Sequence, residues 1–187
     1  MSRLASRALP LADLKLIERQ RLVDDRGFLA RIFCARDLAA CGWNKPIMQI
    51  NHTYTRTKGT VRGMHFQRQP CSEMKLVNVI RGEVWDVAVD LREGSATFLQ
   101  WHAEKLSAEN SRALLIPEGF AHGFQSLTDD VEMLYCHSAA YDPVAEGGLR
   151  PSDARLAIAW PLAISEMSSR DREQPLIDQD FKGISLL

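Results

Sequence analysis

An all-β domain of the sandwich or barrel type is predicted by three features of the sequence. Short apolar and β-branched segments recur, turn-forming peptides stand between them at close intervals, and helical periodicity is sparse. The chain of 187 residues suits one domain with a substantial core, since domains commonly run ~100–200 residues. No repeat, low-complexity tract or linker divides it. Residues 1–187 are therefore expected to form a single unit, with 1–23 as an N-terminal arm and 163–187 as a C-terminal tail.

Taken in order, the first turn signal is "DDRG" at 24–27, and a short helix is expected over "ARDLAACG", 35–42, with Asp37 near its start and Gly42 as its stop. "RTKG" at 56–59 leads into "TVRGMHFQ", 60–67, which reads as a strand carrying an arginine and a histidine. Arg62 and His65 lie an odd number of residues apart, so a regular strand would point them to opposite faces. Gly63 between them is the natural place for a bulge that re-aims one of them. "RGE" at 81–83 separates "KLVNVI" from "VWDVAVDL". In the latter, Val84, Asp86, Ala88 and Asp90 alternate with Trp85, Val87, Val89 and Leu91, the period-2 pattern of a strand with one buried face. "REGS" at 92–95, "RALLIP", "PEG" at 117–119 and "VEMLYCHS" continue the strand-turn alternation, and a turn or two of helix is expected around 163–171.

Charge is balanced, 23 Lys and Arg against 24 Asp and Glu, so no polybasic face points to nucleic acid, and an anionic ligand must be met by local arginines. Cys34, Cys41, Cys71 and Cys136 show neither metal-site spacing nor a disulfide framework. Reduced thiols in a cytoplasmic protein are expected. No apolar run approaches the ~20 residues of a membrane-spanning helix, and the first residues lack a signal-peptide pattern.

Two clusters carry chemistry, "RGMHFQ" and "PEGFAHGFQ". Pro117, Gly119 and His122 form P-x-G-x-x-H, which resembles the second motif of the cupin superfamily, small jelly-roll β-barrels whose interior holds the active site. Many cupins bind a divalent metal through H-x-H, a following Glu, and the second-motif His. Here the first motif would be His65-Phe66-Gln67 with Glu73, so an amide stands where a second imidazole would be, a poorer donor to a transition metal. No metal is expected.

Longer stretches narrow the resemblance. "DDRGFLARIF", "QINHTYTRTKGTVRGMHFQ", "EMKLVNVIRGEVWDVAVDLREGSATF", "LLIPEGFAHGFQSL", "YCHSAAYDPVAEGG" and "AIAWP" are together similar to the dTDP-4-dehydrorhamnose 3,5-epimerase family, in colinear order from about Asp24 to Asp171. The resemblance implies a cupin-type jelly roll with a few short helices, a dTDP-linked 4-keto-6-deoxy hexose as substrate, no cofactor, and a homodimer in which an N-terminal segment crosses to the partner. The substrate's ketone acidifies the hydrogens on C3 and C5, so epimerisation needs a base, a donor to the enolate oxygen and an acid on the opposite face.

By the same resemblance His65 falls on the base, Asp171 on the carboxylate that pairs with it, Lys75 on the lysine facing the C4 oxygen, and Tyr135 on the acid. His122 falls on a histidine near the substrate. Arg62 and Arg26 fall on arginines that hold the diphosphate, where a planar fork matches paired oxygens. Gln49, Asn51, Tyr141 and Glu146 match positions around the nucleotide and sugar. The sequence departs from the family pattern at Arg31, where an acidic residue is common, at Pro151-Ser152-Asp153, where "WND" is common, at Glu73 for glutamine and at Thr53 for serine. Other readings stay open: a single-centre epimerase or 3,4-ketoisomerase on a related nucleotide sugar, and a non-catalytic or metal-binding cupin.

Overall fold

The computed structural model describes residues 3–186, so the first two residues of the expected N-terminal arm and the last residue of the tail lie outside the described residues. The strands are β1 (Leu4–Ala8), β2 (Lys15–Arg19), β3 (Arg21–Asp24), β4 (Gly27–Ala30), β5 (Gln49–Thr55), β6 (Val61–Gln67), β7 (Lys75–Arg81), β8 (Glu83–Asp90), β9 (Trp101–Ser107), β10 (Arg112–Ile116), β11 (Phe120–Ser126), β12 (Val131–His137) and β13 (Glu146–Gly148). The helices are α1 (Ala35–Ala39) and α2 (Ser169–Arg172). A six-stranded antiparallel sheet, β1-β2-β10-β7-β12-β5, packs on a five-stranded one, β13-β6-β11-β8-β9, and β3 and β4 form a separate hairpin. This is the expected all-β, cupin-type jelly roll.

The turn signals fall between strands, and the glycine of each has a positive φ: Gly27, Gly59, Gly82, Gly94 and Gly119. Three apolar clusters hold the layers. Between the sheets lie Val77, Val79, Val84, Ala88, Leu114, Ile116, Phe124 and Met133. Outside the six-stranded sheet, Leu76, Leu115 and Cys136 pack under α1 and the loop after it, against Leu38 and Trp43. Outside the five-stranded sheet, Met64, Phe66, Val87 and Val89 lie under Leu149 and Leu156 and the tail residues Ile177 and Ile184.

That third layer corrects the expectation for residues 84–91. β8 is buried on both faces, because the C-terminal segment covers what would otherwise be its solvent side. Asp86 and Asp90 are fully buried rather than solvent-facing. The expected arm also belongs largely to the main sheet: β1 pairs with β2, and β2 with β10. The helix expected over 35–42 forms over Ala35–Ala39 with Gly42 at positive φ beyond it, and the one expected near 163–171 is confined to Ser169–Arg172.

Candidate active site

The space between the sheets is divided. In antiparallel pairs, residues opposite one another share a face, so the register shows how inward side chains change along each strand. On β12 the inward series runs Val131, Met133, Tyr135, His137, opposite Thr55, Thr53, Asn51 and Gln49 of β5. On β7 it runs Val79, Val77, Lys75, opposite Met133, Tyr135 and His137. One end of the interior is apolar; the other is lined with ionisable groups around a cavity of about 810 Å³, within the ~300–1,000 Å³ of small-ligand sites.

The cavity's other wall comes from the five-stranded sheet. His65 pairs with His122 and Arg62 with Phe124, so Gly63 and Met64 together oppose Gly123 alone. This is the bulge anticipated at Gly63, and it places Arg62 and His65 on the same wall. The backbone permits it only with glycine: Gly63 has φ +129°, and a Cβ there would stand 2.5 Å from Gly123 Cα.

Three imidazoles line this one cavity, each paired with a carboxylate. His65 Nε2 lies 2.7 Å from Asp171 Oδ1, while Asp171 Oδ2 accepts from the Gly63 amide at 3.4 Å. Ser168 caps α2 by accepting from the Asp171 amide at 3.0 Å, which fixes the carboxylate's approach. Burial pushes the Asp171 carboxyl upward, but the hydrogen bond and charge of His65, with the Gly63 and Ser168 contacts, outweigh it and hold the group below the usual range. With Nε2–H donated to Asp171, His65 keeps its lone pair on Nδ1. His122 Nε2 lies 2.8 Å from Asp86 Oδ1, and Asp86 Oδ2 is buried without a hydrogen-bond partner among the described residues. His137 Nδ1 lies 2.7 Å from Glu73 Oε2.

Tyr135 stands between the second and third imidazoles, edge-on to His122 at 5.8 Å and to His137 at 6.2 Å between ring centroids. Its hydroxyl accepts from Thr53 Oγ1 at 3.4 Å. Burial, more than any other influence, holds this phenol well above its ordinary pKa, so it is protonated at neutral pH. Lys75 Nζ is paired with Glu73 Oε1 at 3.1 Å and donates to the His65 carbonyl at 3.5 Å. Glu73 is itself held below the usual carboxylate range: burial opposes this, and the contacts with His137 and Lys75 prevail.

The remaining expected residues divide. Gln49, Asn51, Arg62, Tyr141 and Glu146 all line the cavity. Arg62 is fixed by Thr55 Oγ1 and the Tyr54 carbonyl, each at 3.1 Å. Tyr141 Oη donates to Glu146 Oε2 at 2.7 Å, and Glu146 also pairs with Arg170. Arg26 is not brought to this cavity within the chain. It sits in the β3–β4 turn with an 89% exposed side chain, paired with Asp24. Arg31, the charge reversal, is likewise off the cavity, its guanidinium 2.8 Å from Asp37. Pro151 is buried, and its carbonyl accepts from Trp160 Nε1 at 3.0 Å.

Sequence reasoning missed His137, Arg170 and Arg172 as cavity residues and Asp86 as the buried partner of His122, and met Glu73 only as a candidate metal ligand and as a departure. Two of these carried a signal. Asp86 interrupts an apolar strand at an inward position, and His137 follows Tyr135 at the two-residue spacing that shares its face. Among the described residues no group of three or more His, Cys, Asp or Glu side chains is placed to hold a metal ion.

Fold and cavity define a cupin-type jelly-roll protein with an acid–base site inside the barrel. A sequence profile of the dTDP-4-dehydrorhamnose 3,5-epimerase family matches residues 8–179. The epimerase of that name from Salmonella typhimurium is 40% identical over 171 residues, spanning 90% of this chain and 93% of the relative. The crystal structure of the Bacillus anthracis enzyme, with TDP and PPi bound, superposes with a TM-score of 0.90 at 38% identity, covering 93% of this chain and 99% of the other. A Legionella pneumophila enzyme in complex with dTDP-4-keto-L-rhamnose superposes with a TM-score of 0.89 at 37% identity, covering 97% and 98%. The chain belongs to the dTDP-4-dehydrorhamnose 3,5-epimerase family.

Proposed function

We propose that this protein is an isomerase that converts dTDP-4-keto-6-deoxyglucose to dTDP-4-keto-rhamnose by proton exchange at C3 and C5 through an enolate, without a cofactor. The observation that carries the reading is the His65–Asp171 pair opening on the cavity that Tyr135 and Lys75 also line. His65 Nδ1 takes the proton from the ring carbon beside the ketone, and the released electron pair moves onto the C4 oxygen. Asp171 stabilises the imidazolium so formed. The Lys75 ammonium meets the negative oxygen; a comparable oxyanion donor is worth about 10²–10³ in kcat. Tyr135 returns a proton to the opposite face of the carbon, and solvent then restores both groups. The ligands of the Bacillus and Legionella relatives support the substrate assignment.

The diphosphate is met by Arg62 and by Arg26 of a second copy of the chain in a homodimer. Supporting this is the apolar surface of the β3–β4 hairpin, where Val23, Phe28 and Leu29 are 76%, 59% and 63% exposed, more than an isolated hairpin sustains in water. The four free thiols are in keeping with a cytoplasmic protein, and among the described residues no helix is long and apolar enough to cross a membrane.

The test is incubation of the purified protein with dTDP-4-keto-6-deoxyglucose in D2O, counting deuterons at C3 and C5 by NMR and mass spectrometry. Label at both centres is expected. Label at one centre would mean a single-centre epimerase, and no label from folded protein would overturn the reading. For the dimer, sedimentation should give twice the chain mass, and Phe28→Asp should yield monomers with weakened dTDP binding.

A further inference from the structure

Proton transfer as proposed makes no use of the His137–Glu73 pair, yet that pair lies in a line of hydrogen bonds whose direction is fixed. The Tyr141 backbone N–H can only donate, and it meets Gln49 Oε1 at 3.0 Å. The amide nitrogen of Gln49 is therefore the atom turned to Asn51, where Nε2 donates to Oδ1 at 2.9 Å. Asn51 is left presenting Nδ2, also a donor only, to His137 Nε2 at 3.4 Å. His137 Nε2 must then carry the lone pair, its proton sits on Nδ1, and Nδ1 donates to Glu73 Oε2 at 2.7 Å. The other Glu73 oxygen, Oε1, faces Lys75 Nζ at 3.1 Å.

We propose that this line is a positioning device for Lys75, in which His137, donating from Nδ1, holds the Glu73 carboxylate turned onto the ammonium. The inference deepens the proposed function and rests on its assignment of Lys75 to the substrate oxygen. Glu73 and Lys75 have side chains only 8% and 10% exposed, and a buried ammonium without a fixed counter-charge is costly. A carboxylate tied at one oxygen alone can swing; tied at both it fixes where the ammonium stands. The titratable groups around Lys75 are Glu73, His137 across the same carboxylate, Tyr135 edge-on to His137, and His65, whose carbonyl accepts from Nζ.

The first measurement is the ¹⁵N spectrum of the imidazoles in the intact protein, which has five histidines. In its neutral form His137 should carry its proton on Nδ1 and its lone pair on Nε2. A neutral ring protonated on Nε2 would overturn the proposal. The second is a pair of variants. His137→Phe keeps the ring and removes the donor; kcat should fall about tenfold or more with KM within about twofold. His137→Asn restores an N–H close to the Nδ1 position and should bring kcat back to within about threefold of the parent. Unchanged kcat in His137→Phe, or equal loss in both variants, would show that the ring only fills space. Should the protein fail to turn over the nucleotide sugar, the imidazole spectrum still decides the hydrogen-bond line, and only the role given to Lys75 falls.

Discussion

His65 offers two nitrogens, and the fold commits one of them. With Nε2 bound to Asp171 at 2.7 Å, basicity is concentrated on Nδ1, and the carboxylate that fixes the tautomer also stabilises the cation formed when a proton arrives. His65→Ala should abolish deuterium exchange while dTDP binding, followed by calorimetry, changes less than about threefold. Asp171→Asn should lower kcat by about 10²–10⁴-fold, because an amide nitrogen facing Nε2 favours the other tautomer. Tyr135→Phe separates the two half-reactions. Substrate recovered from D2O should carry label at the abstracted position with its configuration unchanged, since the base can return what it removed but nothing waits on the opposite face. At this scale the resemblance supplied candidate roles for His65, Lys75, Tyr135 and Asp171, and the fold brings all four to one cavity. It was poor where a role depends on a partner: nothing in "YCHS" or "SEMK" says that His137 and Glu73 meet 64 positions apart.

Among the elements, β6 does most to shape the site, and it does so by being irregular. Two residues set against one on β11 bring Arg62 and His65 to one wall, and the backbone of Gly63 and Gly123 touches where the strands cross. Gly63→Ala should destabilise the protein by about 1–3 kcal/mol, read from the urea midpoint, because the new Cβ meets backbone and the positive φ disfavours it. Exchange activity should drop further than that loss alone explains, since Arg62 and His65 would no longer share a face. Turn glycines made the strand boundaries of the middle of the chain legible. β1 escaped notice for a physical reason: Leu4 is its one buried residue, so no alternation marks it. The second buried face of β8 was equally hidden, because a strand pattern cannot announce that a distant tail will cover it.

For the whole molecule, the polar end of the barrel is a cost that the apolar end offsets. Each fully buried Leu or Val contributes roughly 1.5–3 kcal/mol, and the cluster between the sheets contains several, among them Leu16, Val77, Leu106 and Leu114. The buried carboxyls set the response to acid. Asp171, Glu73, Asp90 and Glu146 are all held below their ordinary values: burial raises each, and hydrogen bonds from His65, His137, Arg92 and Arg170 respectively lead the opposing contacts. A depressed carboxyl adds stability that is complete above the unfolded value of ~4 and disappears as pH falls through the lower folded value. The urea midpoint should therefore be nearly flat between about pH 7 and about pH 5 and drop steeply below about pH 4. A midpoint unchanged at about pH 3 would show that these pairs contribute nothing net.

The tail that seals the five-stranded sheet also delivers Asp171. Before that segment docks, His65 has no carboxylate to set its tautomer, and the outer side chains of β6 and β8 lie open to water. One segment thus supplies both the carboxylate partner of His65 and part of the outer hydrophobic layer. Deuterium exchange that depends on the His65–Asp171 pair should therefore be lost together with that outer layer.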